Sequence, residues 1–415
     1  MNVTLLKNQT LFEQSVLAQL PADLSGFQRA ALERVHALGL PSPRQEAWKY
    51  LDLRTLMNTA LQPAQATAPK VSSNATVVIH NGRLVKAASV PGVPILSHTE
   101  AMTAATAFWE GRIPHHHDVM DLLNLAAMQD VVLLDVPAGV TVEEPVTIDI
   151  SHSGSQAMAF PRLFVRVGQG AKASMVVRLT GEADGDFFFH SLGMDLVLEA
   201  EATLDAVLQQ SESPTTTLLG FTHLELAEKA NAHLTTVALG GQVSRHAIET
   251  VFRGTEAVAT MNGISILGDQ QQIFHHTDVL HIPENCQSHQ LYKGIVKNSA
   301  RLEFAGTIRV AEGAQQTDAS QQNRNLLLSP DARVWARPQL RIDADDVKCA
   351  HGASVGQLSE EEVFYLQSRG LPKSQAYAIL TEGFAGEVIR QIRHKTLCAA
   401  VQPILRQALN QSPQL

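Results

Sequence analysis

"VVLLDVPAGVTVEEPVTIDI", residues 131–150, and "RLFVRVGQGAKASMVVRLTG", residues 162–181, decide the fold. Both are short runs of Val, Leu, Ile and Phe broken by Gly, Pro and Ala, the pattern of brief strands joined by tight turns. Small-residue punctuation recurs at Ala171-Lys172-Ala173, Ala200-Glu201-Ala202, Ala230-Asn231-Ala232 and Ala257-Val258-Ala259, at steps of 29, 30 and 27 residues. Further turn signals fall at Asn285, Ala300, Ala314 and Ala332. A near-constant period with degenerate sequence is what a stacked β-solenoid leaves, because each rung buries itself only on its neighbours. A large β-sandwich also yields many short strands, and periodicity alone does not separate the two.

On either side of this body the period changes from two to that of a helix. "LFEQSVLAQL" and "SGFQRAALERVHAL" space apolar residues three and four apart, the second with Ser25 as N-cap, and "HHDVMDLLNLAAM" repeats the pattern. "QPAQATAPKVSSNA" (62–75) reads as an exposed linker, and "TVVIHNGRLV" and "VPILSH" as strand fragments. After Gly356 the strands stop. Ser359 and Glu362 form a capping-box pattern, Gly370 and Pro372 end the first helix, and helical spacing continues to the end. The division is a helical region and linker (1–75), a mixed connecting segment (76–129), a β body (130–356) and C-terminal helices (357–415). The simplest packing for those last helices is over the end of the solenoid, where an open rung would expose strand edges. Some 55 residues exceed a minimal cap and leave room for a docking surface.

Composition narrows the function. The chain has 415 residues, 45% hydrophobic but only 5% aromatic, so its core is built of Val, Leu, Ile and Ala. A net charge of -9 argues against a nucleic-acid partner, which needs a basic face. No apolar run reaches membrane-spanning length and the N-terminus has no signal-peptide pattern, so a cytoplasmic protein is expected. The cysteines, Cys286, Cys349 and Cys398, are sparse and odd in number. They argue against a disulfide framework and against a self-contained four-cysteine metal site.

Cys349 and His351, in "VKCAH", would share one face of a strand together with Val347. A thiolate beside an imidazole suits zinc, ferrous iron or the edge of an iron–sulfur cluster. The alternative is a buried cysteine beside a hydrogen-bonded histidine. The run "HHTDVLH" offers His276, Asp278 and His281 as metal ligands, but it and the triple histidine His115–His116–His117 read more simply as polar, solvent-facing segments. No G-x-S-x-G, Rossmann G-x-G-x-x-G or P-loop is present. Of three Trp residues, two lie outside the β body, which leaves a poor platform for the polysaccharide chemistry of many solenoids.

"DVKCAHGASVGQLSEEEVFYLQSRGLPKSQAYAILTEGFAGEVI" (346–389) resembles the C-terminal signature of the SufB/SufD family of iron–sulfur cluster assembly proteins. "RQEAWKYLDLRTL" (44–56) resembles an N-terminal element of its SufD branch, and "VPAGVTVEEPVTI" (136–148) the entry to the family's β body. SufB-like chains are longer and carry an additional N-terminal cysteine motif, whereas no cysteine here precedes position 286. The resemblance implies a mainly β fold, a right-handed parallel β-helix between two helical regions. It implies a non-enzymatic scaffold subunit of a SufBCD complex, pairing with SufB through the β-helix and docking the SufC ATPase through residues of about 357–415. A homodimer is implied where SufB is absent. No cofactor is expected to stay bound to the chain alone, only a transient iron–sulfur cluster or iron at the SufB interface. Carried over by position, His351 is the stronger candidate ligand and Cys349 the second. A stand-alone metal-dependent solenoid enzyme using Cys349, His351 and His276, or a purely structural subunit, are the competing readings.

Overall fold

The computed structural model describes residues 10–69, 74–97, 99–181 and 187–410. It is mainly β, a parallel solenoid of about 8 turns with helices flanking it at both ends of the chain. Consecutive strands alternate between two facing sheets, so each rung gives one strand to each. The first sheet runs from Ile95–Ser97 through Val131–Val136, Arg162–Val167 and Phe188–Leu198 to Arg333–Ile342. The second runs from Arg83–Ala87 and Val77–His80 through Val146–His152 to Lys348–Gly356. All pairings are parallel except at the start. There Ile95–Ser97 on Val131–Val136 and Arg83–Ala87 on Val77–His80 are antiparallel and finish the solenoid's first end.

The corners explain the sequence period. Gly170, Glu201, Lys229, Glu256, Asn285 and Gln316 each have φ between 56° and 65°. Each is followed by a small, fully buried residue: Ala171, Ala202, Ala230, Ala257, Cys286 or Thr317. The left-handed residue turns the chain into the second sheet, and the next side chain is enclosed at the bend, where only a small group fits. Cys286 is therefore a corner residue in alanine's place. Its thiol donates to the Gly254 carbonyl oxygen, and burial raises its pKa.

The core is layered. Between the sheets lies a column of aliphatic side chains, among them Ile148, Val165, Leu196, Leu204, Leu224 and Ile308. Outside the first sheet, helices α1 (Leu11–Leu17), α2 (Gly26–Leu38), α3 (Arg54–Met57), α4 (Thr99–Trp109) and α5 (Val119–Ala127) cover outward-facing Phe164, Phe189, Leu219, Phe221 and Phe274. α2 opens with the expected Ser25 cap, completed by Gln28 into a reciprocal capping box. Helix α4 was not legible as such, because "TEAMTAATAFW" carries a run of alanine and threonine instead of a clear apolar stripe. The expected linker begins as a strand: Gln62–Pro63 pairs in parallel with Ala157–Met158, and residues 70–73 of it lie outside the described residues.

The C-terminal helices α6 (Glu360–Ser368), α7 (Lys373–Ile389) and α8 (Lys395–Asn410) do not cover the solenoid's last rung, contrary to the simplest expectation. Ala385, Val388 and Ile389 of α7 and Leu397, Val401 and Leu405 of α8 lie on the outer face of the second sheet. That face presents Val176, Val207, Val237, Ile264, Ile266 and Ile295, an apolar stripe across successive rungs, whereas the last strand offers mostly small, exposed residues. Burying the stripe is the larger gain. Lys293 pins the arrangement. Its ammonium donates to the Phe384 carbonyl oxygen at 3.0 Å, meets the Glu387 carboxylate and lies 4.1 Å from the centre of the Phe384 ring. None of the described helices is long and apolar enough to cross a membrane.

Candidate functional site

The free end of the solenoid is built by Arg333–Ile342 and Lys348–Gly356, each the last strand of its sheet and paired on one side only among the described residues. Ala319 pairs with Cys349 and Gln321 with His351. Residues paired in a parallel ladder share a face, and Ala319 and Gln321 are buried inside the solenoid. Cys349 and His351 therefore face the interior together, as the strand alternation predicts. Cys349 is half-buried against the central column, while His351 is exposed because no further rung covers it. Lys348 N bonds back to Thr317 O, so the backbone polar groups of Cys349, His351 and Ala353 turn to the unpaired side.

Burial raises the Cys349 thiol, and the nearby Asp318 charge pushes the same way against one backbone hydrogen bond. The thiol is thus protonated at neutral pH and becomes a ligand only when a metal displaces its proton. No group of three or more His, Cys, Asp or Glu ligand atoms among the described residues includes either Cys349 or His351. They supply one or two ligands, and a complete coordination shell needs more.

Toward this mouth the interior encloses a group of polar residues, His275, Gln290, Tyr292, Gln321, Asn323 and Asn325. His275 Nε2 meets Ser265 Oγ at 2.7 Å, and Asn323 donates to the Tyr292 carbonyl oxygen at 3.1 Å. The amide groups of Gln290 and Gln321 and the Tyr292 hydroxyl bond to no other protein group. Polar interiors of this kind are built where solvent or a ligand supplies the missing partners.

Two histidine–carboxylate clusters lie elsewhere. Inside the solenoid, His152 Nε2 donates to Glu212 Oε2 at 2.6 Å and His190 Nδ1 to Glu212 Oε1 at 2.8 Å. Burial alone would raise Glu212, but the two imidazoles reverse that and bring it down to about 2, while burial lowers His190. Outside the first sheet, His116, Asp121 and His223 converge beneath Trp109. Burial works to raise Asp121, yet Arg162 and His223 hold it well below the usual carboxylate range.

The sequence reading missed these clusters. The expectation that the triple histidine faces solvent fails for His116, whose side chain retains only 11% exposure because it folds in against Asp121. His152, His190, His223 and Glu212 carry no local signal. Rung stacking brings His152 and His190 to Glu212 from 60 and 22 residues away, and helix packing brings Asp121 to His223 across 102 residues. The "HHTDVLH" run splits between faces: His275 and His281 point inward to Ser265 and Ser288, while His276 and Asp278 point outward to Glu303 and Arg309. His276 and His351 thus stand on opposite faces of the solenoid wall and do not form one site.

At the other surface, α6 buries only Val363 and leaves Phe364 71% and Tyr365 56% exposed, and Ile379 of α7 is exposed as well. Exposed aromatic side chains on a short helix are the usual mark of a docking face.

A family model described as "SUF system FeS cluster assembly, SufBD core domain" matches residues 150–384. The chain is 29% identical over 434 aligned residues to an iron–sulfur cluster assembly SufBD family protein of Synechocystis sp., covering 97% of this chain and 94% of that one. It is 28% identical over 389 residues to the iron–sulfur cluster assembly protein SufD of Escherichia coli, with 88% of each chain covered. The SufD of Bacillus subtilis is 24% identical over 404 residues, with 90% and 91% covered.

Proposed function

The chain is a SufD-type member of the SufBD family with a role in SUF-system iron–sulfur cluster assembly, and we propose that it is a non-enzymatic scaffold whose open rung forms half of an assembly site. The observation that carries this reading is the solenoid's uncovered end. Among the described residues two unpaired strand edges frame a polar mouth, and His351 and Cys349 face into it with no third ligand. An exposed strand edge is a template for a strand of another chain. A SufB solenoid added there would continue both sheets and bring further ligands to the same mouth. A second copy of this chain would occupy the edge when SufB is absent.

In this scheme iron or the nascent cluster is cargo, held across the interface by His351, with Cys349 as a second donor once deprotonated. No cofactor stays with the chain alone. The exposed face of α6, with Phe364 and Tyr365, docks SufC, and α7 connects that face to the solenoid wall through Lys293. ATP-driven movement of SufC would reach the β body through this contact, provided SufC binds the two arrangements with different affinity. Free thiols at Cys286, Cys349 and Cys398 suit the reducing cytoplasm as the compartment.

Co-purification with SufB and SufC tests the assignment of the two surfaces. Ala353→Pro removes an edge donor and bars a continuing ladder, so it should lower SufB recovery at least tenfold and leave SufC bound. Phe364→Glu with Tyr365→Glu should do the reverse. Both variants retaining both partners would overturn the assignment.

A further inference from the structure

We propose that His116, Asp121 and His223 bind one divalent first-row transition-metal ion at a site outside the solenoid and separate from the open rung. The proposal goes beyond the scaffold reading and does not rest on it. Three elements converge: the turn after Ile113–His115, the first turn of α5, and the outward face of Thr216–Leu226. His223 Nε2 lies 2.6 Å and His116 Nε2 3.0 Å from the same atom, Asp121 Oδ2. All three ligand atoms lie within 4.8 Å of one another. His116 Nε2 makes no hydrogen bond despite its short distance to the carboxylate. An ion with bonds of roughly 2.0–2.2 Å needs tetrahedral ligands about 3.4 Å apart, so it would enter by spreading the imidazoles away from the carboxylate by up to about an ångström. Two imidazoles and a carboxylate suit zinc, ferrous iron, cobalt or manganese better than calcium or magnesium, which prefer oxygen.

The groups behind the ligands are arranged as metal sites require. Glu249 Oε2 lies 3.2 Å from His223 Nδ1, so its carboxylate holds the far nitrogen of that ring and turns Nε2 toward Asp121, and it stands 3.9 Å from His116 Nδ1. Arg162 holds Asp121 Oδ1 at 3.0 Å, leaving Oδ2 for the ion. Glu249 reaches this position because it is the register partner of His223 on the adjacent strand. Two clefts, of about 290 Å³ and 450 Å³, are both lined by His116, His223 and Glu249, which gives an ion a path in and leaves room for exchangeable ligands.

The test is titration of the chelator-stripped full-length chain with Co²⁺, followed by its visible absorption and by equilibrium dialysis. One equivalent should bind with the spectrum of nitrogen–oxygen coordination. His116→Gln and His223→Gln should each weaken binding at least tenfold, Glu249→Gln by about tenfold, and His351→Ala should leave it unchanged. His116 is partly exposed, so His116→Gln keeps the test valid if the His223 variant fails to fold. Absence of stoichiometric binding, or binding that His116→Gln leaves unaltered, overturns the proposal.

Discussion

Replacing Arg162 by alanine should destabilise the protein by about 3–5 kcal/mol, among the largest effects expected of a single substitution. The guanidinium is fully buried, bonded through Nε and Nη2 to both oxygens of Asp195 at 2.8 Å and through Nη1 to Asp121 at 3.0 Å and Asn124 at 2.9 Å. Its carbon lies 4.9 Å from the centre of the Trp109 ring. Alanine would strand two carboxylates in the apolar layer between α4, α5 and the first sheet, with His116, His223 and the Trp109 indole N–H among their remaining polar neighbours. Lysine would not repair this, because a single ammonium cannot reproduce the two parallel bonds to Asp195. Even the backbone is fitted to the arginine, since a Cβ on Gly193 would come within 2.4 Å of Arg162 Nη1. Removing both charges, as in Arg162→Met with Asp195→Leu, should cost less than Arg162→Ala alone. Denaturant unfolding checks both, and a loss below about 1 kcal/mol for Arg162→Ala would contradict the reading.

Stability should fall steeply as the pH is lowered from 6.5 toward 4. Burial pushes His246 down to about 4, His275 to about 3 and His281 to about 4, from an ordinary value of 6.5. For His246 the Arg245 charge, and for His275 the neighbouring histidines, act in the same direction. Between those values and 6.5 the unfolded chain binds protons that the folded chain refuses, so acid favours unfolding. Each histidine contributes about 1.4 kcal/mol per pH unit within its window and nothing above it. Glu212 continues the trend. Its folded value of about 2 against an ordinary 4.5 gives stability that is present above 4.5 and lost as the pH falls toward 2. Unfolding free energy measured from pH 6.5 to 4.5 should decline through the histidine window; above it His223, which burial would lower but Asp121 holds up to about 10, makes stability fall as the pH rises. A curve flat down to pH 5 would contradict the buried, neutral state of these rings.

The β body was legible because its corners repeat. A left-handed residue followed by an enclosed small one leaves a visible trace where that residue is alanine, at Ala171, Ala202, Ala230 and Ala257. The trace breaks at Cys286 and Thr317, which fill the same corner with other chemistry. The common face of Cys349 and His351 was equally legible, because strand alternation is local. Contacts between rungs were not. His223 meets Glu249 through strand register, and Asp121 meets both histidines through the packing of a helix on a sheet. The apolar stripe of α7 and α8 announced that it would be buried, but which surface it would cover depended on outward-facing valines and isoleucines spread from Val176 to Ile295.

The central claim is that the open rung is half of an assembly site and that His351 donates the ligand. The decisive measurement is anaerobic cluster formation on the complex reconstituted with SufB and SufC, comparing the natural chain with His351→Ala. His351 is exposed, so the variant should fold and assemble normally. Cluster formation, followed by visible absorption and bound iron, should drop at least tenfold with the complex intact. An intact His351→Ala complex that builds clusters at the natural rate and yield would contradict the account.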